Sequence, residues 1–316
     1  MNVLEKALAE ASDIAVVGHV HPDGDCVGSC LALRQYLEEN EPKKKVTVYL
    51  ESVGKNLRFL SGSEKVRPLE EASGFAGELC ISLDASSADR LGAGAAAFER
   101  AAKTLVIDHH ITNTRFGAEN WVDGDASSCC QVLYELLEEE KISKACAEAL
   151  YTGIIHDTGV FKYSCTGERT MQIAGRLMSR GLATAEIIDR SFYQKTLLQT
   201  KVMAKVVSEA RMLVEDKVFF GVLSYEQRNA MGASAADTEG VIDQLRLVKG
   251  VEVAVFARED QPGVYKFSLR SNGRVDVASI SGFFEGGGHR LAAGFTAEGA
   301  LEDILNELTA MILLQL

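Results

Sequence analysis

The sequence predicts an α/β protein in two parts. An N-terminal parallel sheet with helices on both faces (residues 1–183) is followed by a helical linker (184–209) and a smaller α/β domain with a mixed sheet (210–316). Three observations carry this. A length of 316 residues exceeds the usual size of one core and allows two. The first half alternates short apolar runs with longer amphipathic segments, the pattern of a parallel sheet covered by helices. From about residue 210 the pattern turns to alternating strands and closes on a helical stretch.

The elements follow in order. IAVVGHV (14–20), VTVYL (46–50), LCISLDA (79–85) and TLVIDHH (104–110) are near-continuous apolar runs, as strands buried on both faces require. Two helical segments lie between Ser127 and Asp157, and a third spans roughly Glu168 to Gly181. The stretch from Ala183 to Ala210 has helical periodicity without Gly or Pro and is expected as a helical connector. VFFGVLS (218–224), VEVAVFARE (251–259) and VYKFSLRS (264–271) read as strands. The last two should form a hairpin, because Pro262 fixes φ and Gly263 supplies a positive one. In ALEDILNELTAMILLQL at the C-terminal end, the Met and Leu stripe is expected as core.

Composition narrows the function. With 33 basic against 45 acidic residues the net charge is −12. A polycationic surface for long duplexes is therefore excluded, while a short anionic ligand in a local pocket is not. The opening MNVLEKALAEAS carries Glu5, Lys6 and Glu10 where a signal peptide needs an apolar stretch. No later run approaches the roughly 18 apolar residues of a membrane span, so a cytoplasmic protein without membrane contact is expected. Seven cysteines with no CxxC pair point to reduced, mostly buried thiols rather than disulfides or structural zinc. EPKKK (41–45) reads as a solvated turn. GAGAAA (92–97) does not directly follow its strand, which argues against dinucleotide binding.

The six histidines fall in four short segments, each with an acidic residue or a glycine cluster. In GHVHPDGDCVGS, Pro22 and Gly24 delay the helix, so that Asp23 and Asp25 should project together from an extended turn before a helix opening at VGSCLALRQYL. Asp84 ends one apolar run, and Asp108, His109 and His110 end another. Three strands thus deliver acids or imidazoles at their carboxyl ends, the edge where open α/β sheets bind ligands. Asp157 ends an apolar helical run. Imidazole mixed with carboxylates favours hard or borderline divalent ions, Mn²⁺ before Mg²⁺ or Co²⁺. His19, Asp23, Asp25, Asp84, His109 and Asp157 are too many for one ion and suit two bridged by a carboxylate. Separate helix caps would explain each Asp singly, but not all of them with the histidines. In the second half, Gly286, Gly287 and Gly288 would let a ligand approach the backbone. Beside them, His289 is a donor and Arg270 carries a fork suited to phosphate.

The motifs H-x-x-P-D-G-D-x-x-G-S, a strand-terminal Asp, D-H-H, D-T-G-x-F and a late G-G-G-H-x-x-A-A-G resemble, in order, those of the DHH phosphoesterases. The late motif is similar to that of their DHH-associated C-terminal domain in the oligoribonuclease and pAp-phosphatase branch. The resemblance implies one ion on Asp25, Asp84, His109 and Asp157, and a second on His19, Asp23 and the bridging Asp84. It makes Asp108 the group that orients a histidine and His110 the one that meets the phosphate or leaving group. It implies a 5′-phosphorylated nucleoside on Arg270 and His289, with its 3′-phosphoryl group on the metals. His21 and His156 are expected in supporting or packing roles, and Cys26 as an apolar filler. The implied activity is hydrolysis of short single-stranded RNA or DNA oligonucleotides to 5′-mononucleotides and of pAp to AMP, in a protein that could form homodimers. The alternatives are a cyclic dinucleotide or pApA phosphodiesterase, a pyrophosphatase or polyphosphatase, and an inactive nucleotide-binding module.

Overall fold

Alternation along each apolar run explains why the first sheet is covered on both sides. On β1 (Asp13–Val17), Ile14 and Val16 enter one core cluster and Ala15 and Val17 another, and all four are fully buried. The computed structural model describes residues 1–316 and divides into two compact units, Met1–Gln194 and Lys195–Leu316. In the first unit β1 is flanked by β2 (Lys45–Leu50), β3 (Arg67–Pro68), β4 (Leu79–Leu83), β5 (Lys103–Asp108) and β6 (Glu119–Val122). The order is β3-β2-β1-β4-β5-β6 and every pairing is parallel. The chain runs outward one way from β1 and the other way from β4, so a topological switch point falls between these two strands.

One face of this sheet packs against α1 (Val3–Ala9), α2 (Gly24–Asn40), α4 (Cys129–Leu136), α5 (Lys144–Asp157) and α6 (Glu168–Met178). The other carries α3 (Ala95–Arg100) and neighbouring 3₁₀ turns. Glycines set how closely α2 and α5 approach: a Cβ on Gly28 would stand 2.6 Å from the Ala149 carbonyl oxygen, and one on Gly153 would strike Cys130 and Asp25. Two expectations change here. The strand at 14–20 stops at Val17, and α2 opens at Gly24 rather than at Val27, with Asp23 as its N-cap. An aspartate whose Oδ1 accepts from two backbone N–H groups starts a helix more strongly than Gly24 delays it.

The connector is not one helix. α7 (Thr184–Ile188) runs into a π-type turn at Asp189–Tyr193, the chain extends at Gln194, and α8 (Leu197–Glu209) begins afresh in the second unit. Thr196 and Gln199 form a capping box that starts α8, and the Phe192 ring packs on His156 in the first unit. Local capping and tertiary packing override the periodicity.

In the second unit β7 (Arg211–Leu213), β8 (Val218–Leu223), β9 (Val253–Gln261), β10 (Val264–Ser271), β11 (Gly287–His289) and β12 (Ala292–Glu298) form a mixed sheet of order β11-β12-β10-β9-β8-β7. Only β8 and β9 are parallel, joined through α9 (Tyr225–Met231) and α10 (Val241–Arg246). β9 and β10 form the expected hairpin, with φ +76° at Gly263. α11 (Val277–Phe283) and α12 (Leu301–Leu313) cover one face through Ile280, Leu305 and Leu308. α8 and α10 cover Ala254 and Phe256 on the other.

Candidate metal centre

The carboxyl ends of β1, β4 and β5 bring the acids and imidazoles of the first unit together. Beyond β1, His19 is 7% exposed. Its Nδ1 lies 2.8 Å from the Val20 carbonyl oxygen, which leaves Nε2 facing Asp84 Oδ2 at 3.5 Å and Asp23 Oδ1 at 3.8 Å. The cap that opens α2 leaves Asp23 partly exposed and puts Asp25 in the first turn, fully buried. There its carboxylate accepts from the backbone N–H of Cys129 at 2.5 Å and of Cys130 at 2.9 Å, the first residues of α4. Two amides and a helix N-terminus can carry a buried negative charge.

Asp84 follows β4 at φ +57°, a left-handed backbone rare for a residue with a side chain. It is 2% exposed, and its Oδ1 is buried without a hydrogen-bond partner. His109 Nε2 lies 3.1 Å from Asp157 Oδ2, 3.5 Å from Asp84 Oδ1 and 3.9 Å from Asp25 Oδ2. Asp108, buried at the end of β5, accepts from His110 Nδ1 at 2.8 Å and from Asn113 Nδ2 at 2.6 Å. Nothing in the sequence pattern marks Asn113, or the amides of Cys129 and Cys130, as part of this site.

The electrostatics are those of a cage short of positive charge. Burial alone would lower the His19 and His109 pKa values, yet neighbouring carboxylates raise them to about 11 and about 12. Burial pushes Asp25 and Asp157 up, the nearby Asp84 carboxylate adds to it, and His109 opposes it. Burial opposes ionisation of Asp84 as well, but the imidazoles of His109 and His19, each 3.5 Å from one of its oxygens, hold it well below the usual carboxylate range. Protons on the imidazoles thus do part of what a cation would do. The ligand atoms fall into three tight sets, each within 4.8 Å: Asp84–Asp108–His109–His110, His19–Cys26–Asp84, and Asp25–His109–Asp157. An orphaned, deeply buried carboxylate oxygen in this nitrogen and oxygen donor set fits a divalent ion.

Asp23, His21 and His156 fall outside these sets. His21 is exposed at φ +56° and pairs with Glu51 at 3.1 Å. The His156 ring packs on Phe192 with centroids 4.4 Å apart, and burial lowers its pKa to about 4. Cys26 is buried as a filler would be, but its sulfur also comes within reach of His19 and Asp84.

In the second unit Arg270 and His289 sit opposite the same residue, Ala292, from the two strands flanking β12. Arg270 Nε lies 3.6 Å from Asp243 Oδ1. The three glycines differ among themselves. A Cβ on Gly286 or Gly288 would run into the backbone of β12, whereas at Gly287 the space is open. Sheet packing accounts for two of them, and ligand approach is left to the third.

Fold and site together define an α/β protein with a carboxylate–imidazole cluster that could hold a metal ion at the carboxyl edge of a parallel sheet. Its residues 13–154 match the DHH family, N-terminal domain, and residues 200–313 match the DHHA1 domain. The chain is 30% identical to a bifunctional oligoribonuclease and PAP phosphatase NrnA of Thermus thermophilus, over 97% of this chain and 94% of that protein. Identity to the protein of the same name from Bacillus subtilis is 27%, over 87% and 86%. The crystal structure of an exopolyphosphatase-related protein from Bacteroides fragilis superposes with a TM-score of 0.87 at 25% identity, covering 98% of this chain and 94% of that one. The chain belongs to the DHH family. None of its helices is long and apolar enough to cross a membrane.

Proposed function

We propose that this chain is a metal-dependent phosphoester hydrolase that cleaves short oligoribonucleotides to 5′-mononucleotides and converts pAp to AMP. The observation that carries the reading is Asp84: buried, strained, unpartnered at Oδ1, and shared by two of the three candidate ligand sets. The names of the two NrnA relatives, matched over most of their length, supply the substrate class.

Two divalent cations, Mn²⁺ by preference, would be held by Asp25, Asp84, His109 and Asp157 and by His19, Asp23 and Asp84. When bound, they supply Lewis-acid polarisation of the phosphoryl group. The amides of Cys129 and Cys130 fix Asp25 in place. Asp108 accepts the Nδ1 proton of His110 and raises its pKa, leaving Nε2 to carry a proton toward the departing 3′-oxygen. Arg270 and His289 would take a terminal 5′-phosphate, the feature that pAp and an oligonucleotide share.

The test is a panel of pAp, pApA, short and long single strands and pyrophosphate, assayed with Mn²⁺ and after chelation. Turnover of pAp and the short strands, lost on chelation, is expected. Asp84→Ala should abolish it for every substrate, and Arg270→Ala should mainly raise KM. Pyrophosphate as the preferred substrate, or full activity after exhaustive chelation, overturns the proposal.

A further inference from the structure

Cys26 is the member of the three tight ligand sets that the proposed function leaves unused. It sits in the first turn of α2, directly after Asp25, and the two side chains part there. The Asp25 carboxylate turns to the amides of α4, while the Cys26 sulfur lies just beyond the end of β1, where a Cβ on Gly18 would strike it. The glycine leaves the room that the sulfur fills. From that place Sγ is within 4.8 Å of a donor atom of His19 and one of Asp84, and all three residues are buried.

The other two members of this set are prepared for an ion. His19 keeps Nδ1 on the Val20 carbonyl oxygen, which fixes the ring and leaves Nε2 free. Asp84 is 2% exposed, with Oδ1 unpartnered. Asp23 stands apart from the set, with a side chain 57% exposed. Its Oδ1, which faces His19 at 3.8 Å, already holds the N–H groups of Asp25 and Cys26. The donor that stands deep beside His19 and Asp84 is the thiol.

We propose that Cys26 Sγ is a ligand of the ion on His19 and Asp84, which makes this position selective for a borderline ion such as Zn²⁺ or Co²⁺. Thiolate and imidazole suit those ions, whereas carboxylate oxygens suit Mn²⁺ and Mg²⁺. The sulfur-free set of Asp25, His109 and Asp157 stays with the harder ion, so the two positions differ in kind. Burial keeps the thiol protonated in the cation-free protein, and a sulfur that ligates an ion gives up that proton to solvent. The inference rests on the two-ion reading of the proposed function and adds a ligand, and the class of metal, to the second ion.

The experiment titrates Co²⁺ into the metal-free protein and follows the near-ultraviolet thiolate-to-cobalt charge-transfer band in wild type, Cys26→Ser, Cys26→Ala and Cys165→Ser. Zn²⁺ and Mn²⁺ affinities are measured alongside by competition with a chelator. Wild type should show the band, and Cys165→Ser, which removes the exposed thiol, should keep it. Both Cys26 variants should lose it. Their Zn²⁺ affinity should fall at least about tenfold, the lower end of what even an outer partner of a ligand costs, and their Mn²⁺ affinity should fall by less. Equal falls for the two metals, Co²⁺ bound by wild type without the band, or a band that survives in either Cys26 variant overturn the thiol ligand and leave the hydrolase reading intact. Should neither Cys26 variant fold, the band must vanish in His19→Ala, and its survival there overturns the assignment. A wild type that binds neither Co²⁺ nor Mn²⁺ overturns the metal-dependent reading instead.

Discussion

His19 and His109 face at least two carboxylates each, and that arrangement sets how the centre responds to pH. Their pKa values, raised to about 11 and about 12, keep both imidazoles protonated at neutral pH in the cation-free protein. A metal ligand must be neutral imidazole, so binding has to expel those protons. Titration of Mn²⁺ into the metal-free protein in buffers of different ionisation enthalpy should therefore show proton release, and affinity should rise from pH 6 to pH 9. Absence of both effects would mean that these imidazoles are not ligands. At this scale most of the candidate centre was legible, because His19, Asp84, Asp108, His109 and Asp157 sit at or near the ends of apolar runs or a helix. What holds them was not. The amides that hold Asp25 come from 104 and 105 residues away, a distance at which no local pattern operates. Asn113 reaches Asp108 only because the loop after β5 folds back on itself.

Helix placement carries the next level of detail. α2 and α5 approach through Gly28 and Gly153, and Gly153 lies directly against Asp25 and Cys130. Gly153→Ala should overpack this contact and destabilise the first unit by about 1–3 kcal/mol, read as a lower Tm. Mn²⁺ affinity should fall as well, because the displaced side chain is Asp25. A variant with wild-type Tm and affinity would show that the helices can separate freely. The short edge strands β3, β6, β7 and β11, and β12, were not legible, whereas seven strands were, within a few residues, as continuous apolar runs. Helix starts were less so: Gly24 delays a helix by propensity, yet the Asp23 cap starts one there and turns Asp25 inward. The break after Ile188 was likewise invisible, because helical periodicity continues through residues that the Thr196 cap and the Phe192–His156 packing divide between two bodies. The Gly286–Gly288 run was recognised, but the backbone of β12 that requires two of its members belongs to tertiary structure.

At the scale of the molecule the proposed centre belongs wholly to the unit Met1–Gln194, so cations should stabilise that unit alone. With Mn²⁺ at a hundredfold over its dissociation constant, linkage supplies about 2.7 kcal/mol. Calorimetry should show one transition rising by several degrees while the one from Lys195–Leu316 stays in place. Equal shifts of both would show that the units unfold as one. The division into two α/β bodies followed from length and the change of pattern near residue 210, whereas the order of strands could not be read from the sequence. That order has a lasting effect. Because the connections leaving β1 and β4 depart toward opposite edges, neither can lie across the gap that both vacate. Lengthening either one would add chain at the periphery, and the cleft that receives His19 and Asp84 would stay open whatever the intervening segments became.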